Sequence, residues 1–301
     1  MNILVTGATG LIGAELAPFL IKNKHRVIRM VRKTQAAADE VQWNPVTQTL
    51  DMEALEGVDA VVHLAGENIA TGRWTAGKKR RIRESRIQGT RFLAQSLARL
   101  FDPPKLFISV SAIGYYGNRG EEQLDEESDP GTGFLPELCA EWEAATAPAV
   151  MRGIRVVIPR IGMVLNTRGG ALARMLPIFR LGIGGRIGSG RQYMSWITIE
   201  DLVGIIDHAI RNESLNGPVN AVTPNPVTNQ EFSTTLGRVL SKPVPFTLPA
   251  LAARIAFGQM ADELLLASAR VIPVRLNDTG YKFKLPQLEG ALHHALHITA
   301  T

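Results

Sequence analysis

Three glycines, Gly7, Gly10 and Gly13, stand between an apolar run, Ile3-Leu4-Val5, and a stretch in which Leu11, Ile12, Leu16, Phe19 and Leu20 recur at helical spacing. Strand, glycine turn and helix in that order restrict the fold more than any other feature of the chain. Gly7 makes the tight turn, Gly10 lets a ligand approach the backbone, and Gly13 lets the helix pack on the strand. The N–H groups near Leu11 and Ile12 then form an anion site at the helix start, beside Thr9, suited to a dinucleotide pyrophosphate.

Further strands are expected at Arg26 to Val31, Asp59 to Leu64, Leu106 to Ser111 and Arg155 to Pro159, with helices over residues 85 to 100 and from about Leu135 to Met151. Such alternation predicts an α/β fold, a Rossmann-type doubly wound parallel sheet. After Arg160 the texture changes. Residues 162 to 193 are rich in Gly and Arg, Ile199 to Ile210 read as a helix, and Gly217 to Ala221 as a strand returning to the sheet. Helical patterns follow at Asn229 to Leu240, Pro249 to Phe257 and Ala261 to Ala269. The expected organisation is a nucleotide-binding domain of residues 1–163 plus about 194–222, and a smaller, mostly helical lobe of about 164–193 plus 223–301, closing over the carboxyl edge of the sheet.

Composition narrows the function classes. With one cysteine, Cys139, the chain has no internal disulfide framework and no Cys-based metal cluster, and a reducing cytoplasm is the simplest setting. Neither a basic export segment nor an apolar stretch of membrane-spanning length is expected. His293, His294 and His297 read as an exposed helix end rather than metal ligands. The net charge of +5, from 33 Lys and Arg against 28 Asp and Glu, suits small anionic ligands as readily as nucleic acid. Lys78, Lys79, Arg80, Arg81 and Arg83 form a basic run, either a solvated helix start or a polyanion site; the nucleic-acid reading ranks last because no aromatics interleave with these cations.

The second strand ends in Val31-Arg32-Lys33. An NAD site usually places a carboxylate there for the ribose hydroxyls, and a carboxylate repels a 2′-phosphate. Arg32, with Lys33 or Arg29 assisting, is the expected selector for NADP(H), through paired charge-assisted bonds.

Thr6-Gly7-Ala8-Thr9-Gly10-Leu11-Ile12-Gly13, then Asp59-Ala60-Val61-Val62-His63-Leu64-Ala65-Gly66, then Ser109-Val110-Ser111 leading to Tyr116-Gly117, resemble the extended short-chain dehydrogenase/reductase superfamily. Gly66-Glu67-Asn68-Ile69, Trp142-Glu143-Ala144, Gly188-Ser189-Gly190-Arg191-Gln192, Trp196-Ile197 and Asp262-Glu263-Leu264-Leu265 narrow the resemblance to its nucleoside-diphosphate-sugar-epimerase-like family, often labelled cell-division-inhibitor-like. The resemblance implies that Leu64, Ala65 and Gly66 line the cofactor, that Ser109 and Ser111 lie beside the nicotinamide, and that Ser111 hydrogen-bonds a substrate oxygen. Pro159-Arg160-Ile161-Gly162 would pass its carboxamide.

One departure from that superfamily bears on mechanism. Its general acid/base is a tyrosine with a lysine four residues later. Here Tyr115, Tyr116, Tyr193 and Tyr281 are followed at that spacing by Arg119, Gly120, Ile197 and Leu285. If Glu143 marks the usual helix glutamate, Leu135 and Cys139 take the two places. A proton would come from Tyr116 or Tyr115, or from Glu67 or His63, or the protein binds cofactor without turnover; Tyr116 is the preferred catalytic candidate. Glu67, Arg86 and Arg191 are candidate substrate contacts; the Gly182 to Gly190 loop, with Arg186 inside it and Arg191 next to it, reads either as an anion-binding flap or as a connection. The chain therefore reads as an NADP(H)-dependent oxidoreductase or epimerase-like enzyme acting on a small anionic or sugar-nucleotide-like substrate. The alternative is an NADP(H)-binding sensor or partner-binding protein.

Overall fold

The computed structural model describes residues 1–32, 37 and 39–298. Its main sheet has nine strands: β1 (Asn2–Thr6), β2 (Arg26–Val31), β3 (Glu40–Asn44), β4 (Thr49–Leu50), β5 (Ala60–His63), β6 (Leu106–Ser109), β7 (Ser111–Ala112), β8 (Arg155–Ile161) and β9 (Gly217–Ala221). They run in the order β9-β8-β6-β5-β1-β2-β3-β4, with β7 continuing alongside β8. All pairs are parallel except β3 with β4. The order reverses at β1, which lies between β2 and β5, and a crevice at such a switch point is where open α/β sheets bind ligands.

Alternation along β1 explains the layering. Ile3 and Val5 face one side and pack with Leu16 and Leu20 of α1 (Gly13–Lys22), whereas Leu4 faces the other and packs with Leu93, Ala94 and Leu97 of α2 (Ala76–Ala98). Each of these side chains is fully buried, and a buried Leu, Ile or Val stabilises by roughly 1.5–3 kcal/mol. The helix α2 begins nine residues before the expected start, because Thr75 caps it by accepting from Lys78 N at 3.2 Å. The basic run thus lies inside its first two turns. The single helix expected to Met151 is two, α3 (Phe134–Ala144) and α4 (Ala147–Met151); Pro148 has no N–H to give the Ala144 carbonyl. The short β3–β4 hairpin was not expected from the sequence.

After Ile161 the chain leaves the sheet and forms α5 (Gly170–Arg180). It comes back through α6 (Ile199–Arg211), which packs beside α1, to add β9. The departing and returning segments run side by side: Met163–Leu165 pairs in parallel with Trp196–Thr198, Gly162 N donates to Ala221 O, and Thr223 N donates to Trp196 O. A Cβ on Gly162 would lie 2.7 Å from both Ser195 O and Val222 Cγ1, so only glycine fits this crossing. The C-terminal portion is largely helical, with α7 (Asn229–Val239), α8 (Ala250–Phe257), α9 (Val274–Asp278) and α10 (Leu288–Ala295). Leu172 and Leu176 of α5, Phe232 and Leu236 of α7, and Leu292 of α10 close a separate core around Trp196. The helix expected over Ala261 to Ala269 is one π-type turn, Ala261–Leu265. No helix among the described residues is long and apolar enough to cross a membrane.

Candidate active site

The glycine turn closes around the ends of β1 and β5. Gly7 has φ +65°, and a Cβ on it would sit 2.9 Å from the Leu64 carbonyl carbon. A Cβ on Gly13 would overlap the Gly7 carbonyl oxygen and Ala8. Gly10 N donates to Gly7 O at 2.9 Å, so Thr9 and Gly10 form the exposed tip, and Leu11, Ile12 and Gly13 open the first turn of α1, where backbone N–H groups have no acceptor within the helix. Gly169 lies against Leu11, and Arg168 pairs with Glu15, so the segment after β8 covers the start of α1.

Thr6 ties the turn to β5. Its Oγ1 accepts from Leu64 N at 3.0 Å and Ala65 N at 3.1 Å and meets His63 Nδ1 at 2.7 Å. With two N–H groups already directed at that oxygen, the hydroxyl proton goes to Nδ1, and the ring proton belongs on Nε2, which is buried without a partner among the described residues. Burial pulls the His63 pKa down to about 4. His63 is therefore a neutral core group, which corrects its place among the proton donors.

At the carboxyl ends of β6 and β7, Ser109 Oγ is buried without a hydrogen-bond partner among the described residues. Ser111, 3% exposed, donates to Glu143 Oε1 at 2.7 Å. Glu143 is gripped by Arg160, whose Nε and NH2 reach its two oxygens at 2.9 Å each. Arg160 NH1 goes to the Tyr116 hydroxyl at 2.9 Å and to Glu126 O, and the guanidinium lies 3.5 Å from the centroid of the half-buried Tyr115 ring. Burial opposes its charge, but the hydrogen bonds and charge of Glu143 outweigh this and raise its pKa.

Two sequence expectations change here. Tyr116 is fully buried, and its hydroxyl, which accepts from Arg160, lies within bonding distance of Asn220 Oδ1 and Asp125 O; burial pushes its pKa up to about 12. It holds Arg160 from behind and does not reach the crevice as an acid. The Arg160 side chain points into this network, so only the backbone of that strand can border a cofactor.

Arg86 and Glu67 do come together. Arg86 NH1 donates to Glu67 O at 2.9 Å, its guanidinium lies 5.0 Å from the Trp142 ring, and Gly66 adjoins it. Glu67 binds Lys78 Nζ at 2.7 Å, and that hydrogen bond lowers its pKa, so the carboxyl is an anion near neutrality and not an acid. Lys78, far from a solvated position, is buried and also bonds Thr71. Lys79 binds Gln259, and Arg83 pairs with Glu141.

Arg191 is exposed beside the start of α7, on different elements from those carrying Arg86 and Ser111. The Gly182 to Gly190 segment is not a free flap: Gly185–Ile187 pairs with Phe246–Leu248, and Arg186 bonds Thr247 and Gln230. Arg32 is exposed at the end of β2; Lys33 lies outside the described residues, and Arg29 is taken by Asp39 at 2.7 Å. Among the described residues no cluster could hold a metal, and His294 faces Glu200 instead.

Residues 3–221 match the model of the NAD dependent epimerase/dehydratase family, and residues 248–295 match a domain of unknown function, DUF1731. The chain belongs to the NAD dependent epimerase/dehydratase family. An epimerase family protein of Mycobacterium leprae is 45% identical over 97% of this chain and 95% of its own. The human epimerase family protein SDR39U1, solved with NADPH, superposes with a TM-score of 0.90 at 35% identity over 99% of both chains. A Thermotoga maritima UDP-glucose 4-epimerase solved with UDP-glucose has a TM-score of 0.76 over 99% of both chains; at 18% identity it shows the fold alone.

Proposed function

We propose that this family member binds NADP(H) and acts as an oxidoreductase or epimerase-like enzyme on a small anionic or sugar-nucleotide-like substrate, without the Tyr/Lys pair usual in the superfamily. The observation that carries the cofactor reading is Arg32, an exposed guanidinium ending β2 beside the switch point, where an NAD site would have a carboxylate. The residues present fit a dinucleotide: the turn has no room for a side chain at Gly7 or Gly13, and the first turn of α1 opens beside Thr9, Gly10, Leu11 and Ile12. The unpartnered Ser109 hydroxyl, with Leu64, Ala65 and Gly66, would border the nicotinamide end. That the human relative was solved with NADPH supports the same choice.

NADP(H) would supply or take up a hydride. The chain's own part is to orient substrate through Ser111, fixed by Glu143 and Arg160, and to present the Arg86 cation next to Gly66. On α3, Leu135 and Cys139 stand where the pair is expected, and burial pushes the Cys139 thiol up to about 12. A second reading, cofactor binding without turnover, is favoured by the enclosure of Tyr116. Side-by-side fluorescence titration with NADPH and NADH tests the first reading. NADPH is expected to bind the more tightly, and Arg32→Ala to cost about 1–3 kcal/mol in NADPH affinity, as for one charge-assisted contact, with NADH little changed. Equal binding of both by the unsubstituted protein removes Arg32 as selector.

A further inference from the structure

The contacts of Ser111 and Arg86 define the substrate class more narrowly, on the premise that the crevice is the site proposed above. Ser111 has one proton, and it points at Glu143. Glu143 cannot return a proton while Arg160 holds both its oxygens, since a guanidinium fork offers donors only. What Ser111 offers a ligand is therefore an acceptor. It suits a hydroxyl, not a bare carbonyl.

Arg86 offers the complement. It donates at 2.9 Å and 3.4 Å to the backbone carbonyls of Glu67 and Ile82. Among the described residues no carboxylate is hydrogen-bonded to it; the nearby Glu67 carboxylate is directed to Lys78. One guanidinium edge rests against Trp142, and burial lowers the pKa of the group. The single charge of Glu67 is shared between Lys78 and Arg86, so the half-buried guanidinium is under-balanced and is stabilised by a ligand anion. Its planar fork matches the two oxygens and single charge of a carboxylate, whereas the second charge of a phosphate would find Lys78 already engaged. Arg86 and Ser111 are set against the same stretch of α3 and the same pair of strands: the guanidinium lies over Trp142 and against Gly66 after β5, and Ser111, after the neighbouring β6, donates to Glu143.

We propose that Arg86 and Ser111 form a recognition pair for a substrate carrying a carboxylate next to a hydroxyl, the carboxylate on Arg86 and the hydroxyl donating to Ser111. Glycolate and acetate, which differ by that hydroxyl alone, are the probes, and Trp142 beneath Arg86 is the fluorescent reporter, identified by Trp142→Phe. In the full chain, with and without NADP+, glycolate is expected to bind about tenfold more tightly than acetate. Arg86→Gln raises both dissociation constants by about tenfold or more, and Ser111→Ala raises only that of glycolate, to the acetate value. Should Arg86→Gln fail to fold, Arg86→Lys, which keeps the charge and loses the fork, must still weaken both ligands. Equal binding of the two acids, unchanged binding in either variant, or tighter binding of inorganic phosphate overturns the proposal. NADPH titration of the unsubstituted protein is a separate arm: discrimination of glycolate without NADPH binding overturns the cofactor reading and leaves this pair standing.

Discussion

Thr6 and His63 show how one buried contact sets a property of the whole chain. Because burial holds His63 neutral with a pKa of about 4, the unfolded chain, with a histidine near 6.5, binds a proton that the folded chain refuses anywhere between those values. Stability from this group is present in full above pH 6.5 and lost as pH falls through 4, with a slope of at most about 1.4 kcal/mol per pH unit and a total of about 3 kcal/mol. Urea unfolding at about pH 7 and about pH 5 should show a fall that His63→Asn makes shallower; an identical fall in the variant assigns the loss elsewhere. At this scale legibility in the sequence was uneven. The glycines declare themselves because a positive φ and a crowded Cβ act on the residue itself. Glu143 and Arg160 sit 17 residues apart on a helix and a strand, and no local pattern marks them as partners. Tyr116 was misjudged because its distance along the chain from Ser111 says nothing of direction: the 3-10 turn Ile113–Tyr116 leaves Tyr115 half-exposed and drives Tyr116 into the core.

Among the elements, α6 is tied most firmly. Thr198 caps it by accepting from Asp201 N, and the fully buried Asp201 carboxylate accepts from Lys284 N, Leu285 N and the Tyr281 and Thr198 hydroxyls. Burial and the nearby Asp201 charge raise the Tyr281 pKa, so it remains a donor. Asp201→Ala would take the acceptor from two part-buried N–H groups and is expected to cost about 2–4 kcal/mol by urea denaturation, as the loss of several hydrogen bonds to a charged group does. Hydrogen exchange should quicken around residues 281–285; protection equal to the unsubstituted protein there would show that the carboxylate is not what holds the segment. Strands with continuous apolar runs, β1, β5 and β6, were legible because both faces are covered and the pattern needs no partner to be seen. The β3–β4 hairpin escaped because Val41 and Trp43 alone give too short an alternation, and the start of α2 stood only as one of two readings of the basic run because its cap precedes a turn made of cations rather than apolar residues.

For the whole molecule, the sheet order follows from the sequence more readily than the outer contacts do, since parallel strands joined by helices admit few connections. The helical C-terminal portion was legible as helices, but not its attachments, such as Glu263 accepting from Phe134 N and Leu135 N across 128 or more residues. The crossing at Gly162 joins the two parts. Gly162→Ala is expected to lower stability by about 1–3 kcal/mol, as overpacking does, and to shift one cooperative urea transition; separate transitions would mean the parts melt independently. Three stretches of chain pass between these parts, near residues 162–165, 196–198 and 221–223, and they run next to one another, joined by hydrogen bonds. A single proteolytic cut between residues 165 and 194 should therefore divide the chain into two fragments that stay together through the pairing of β8 with β9.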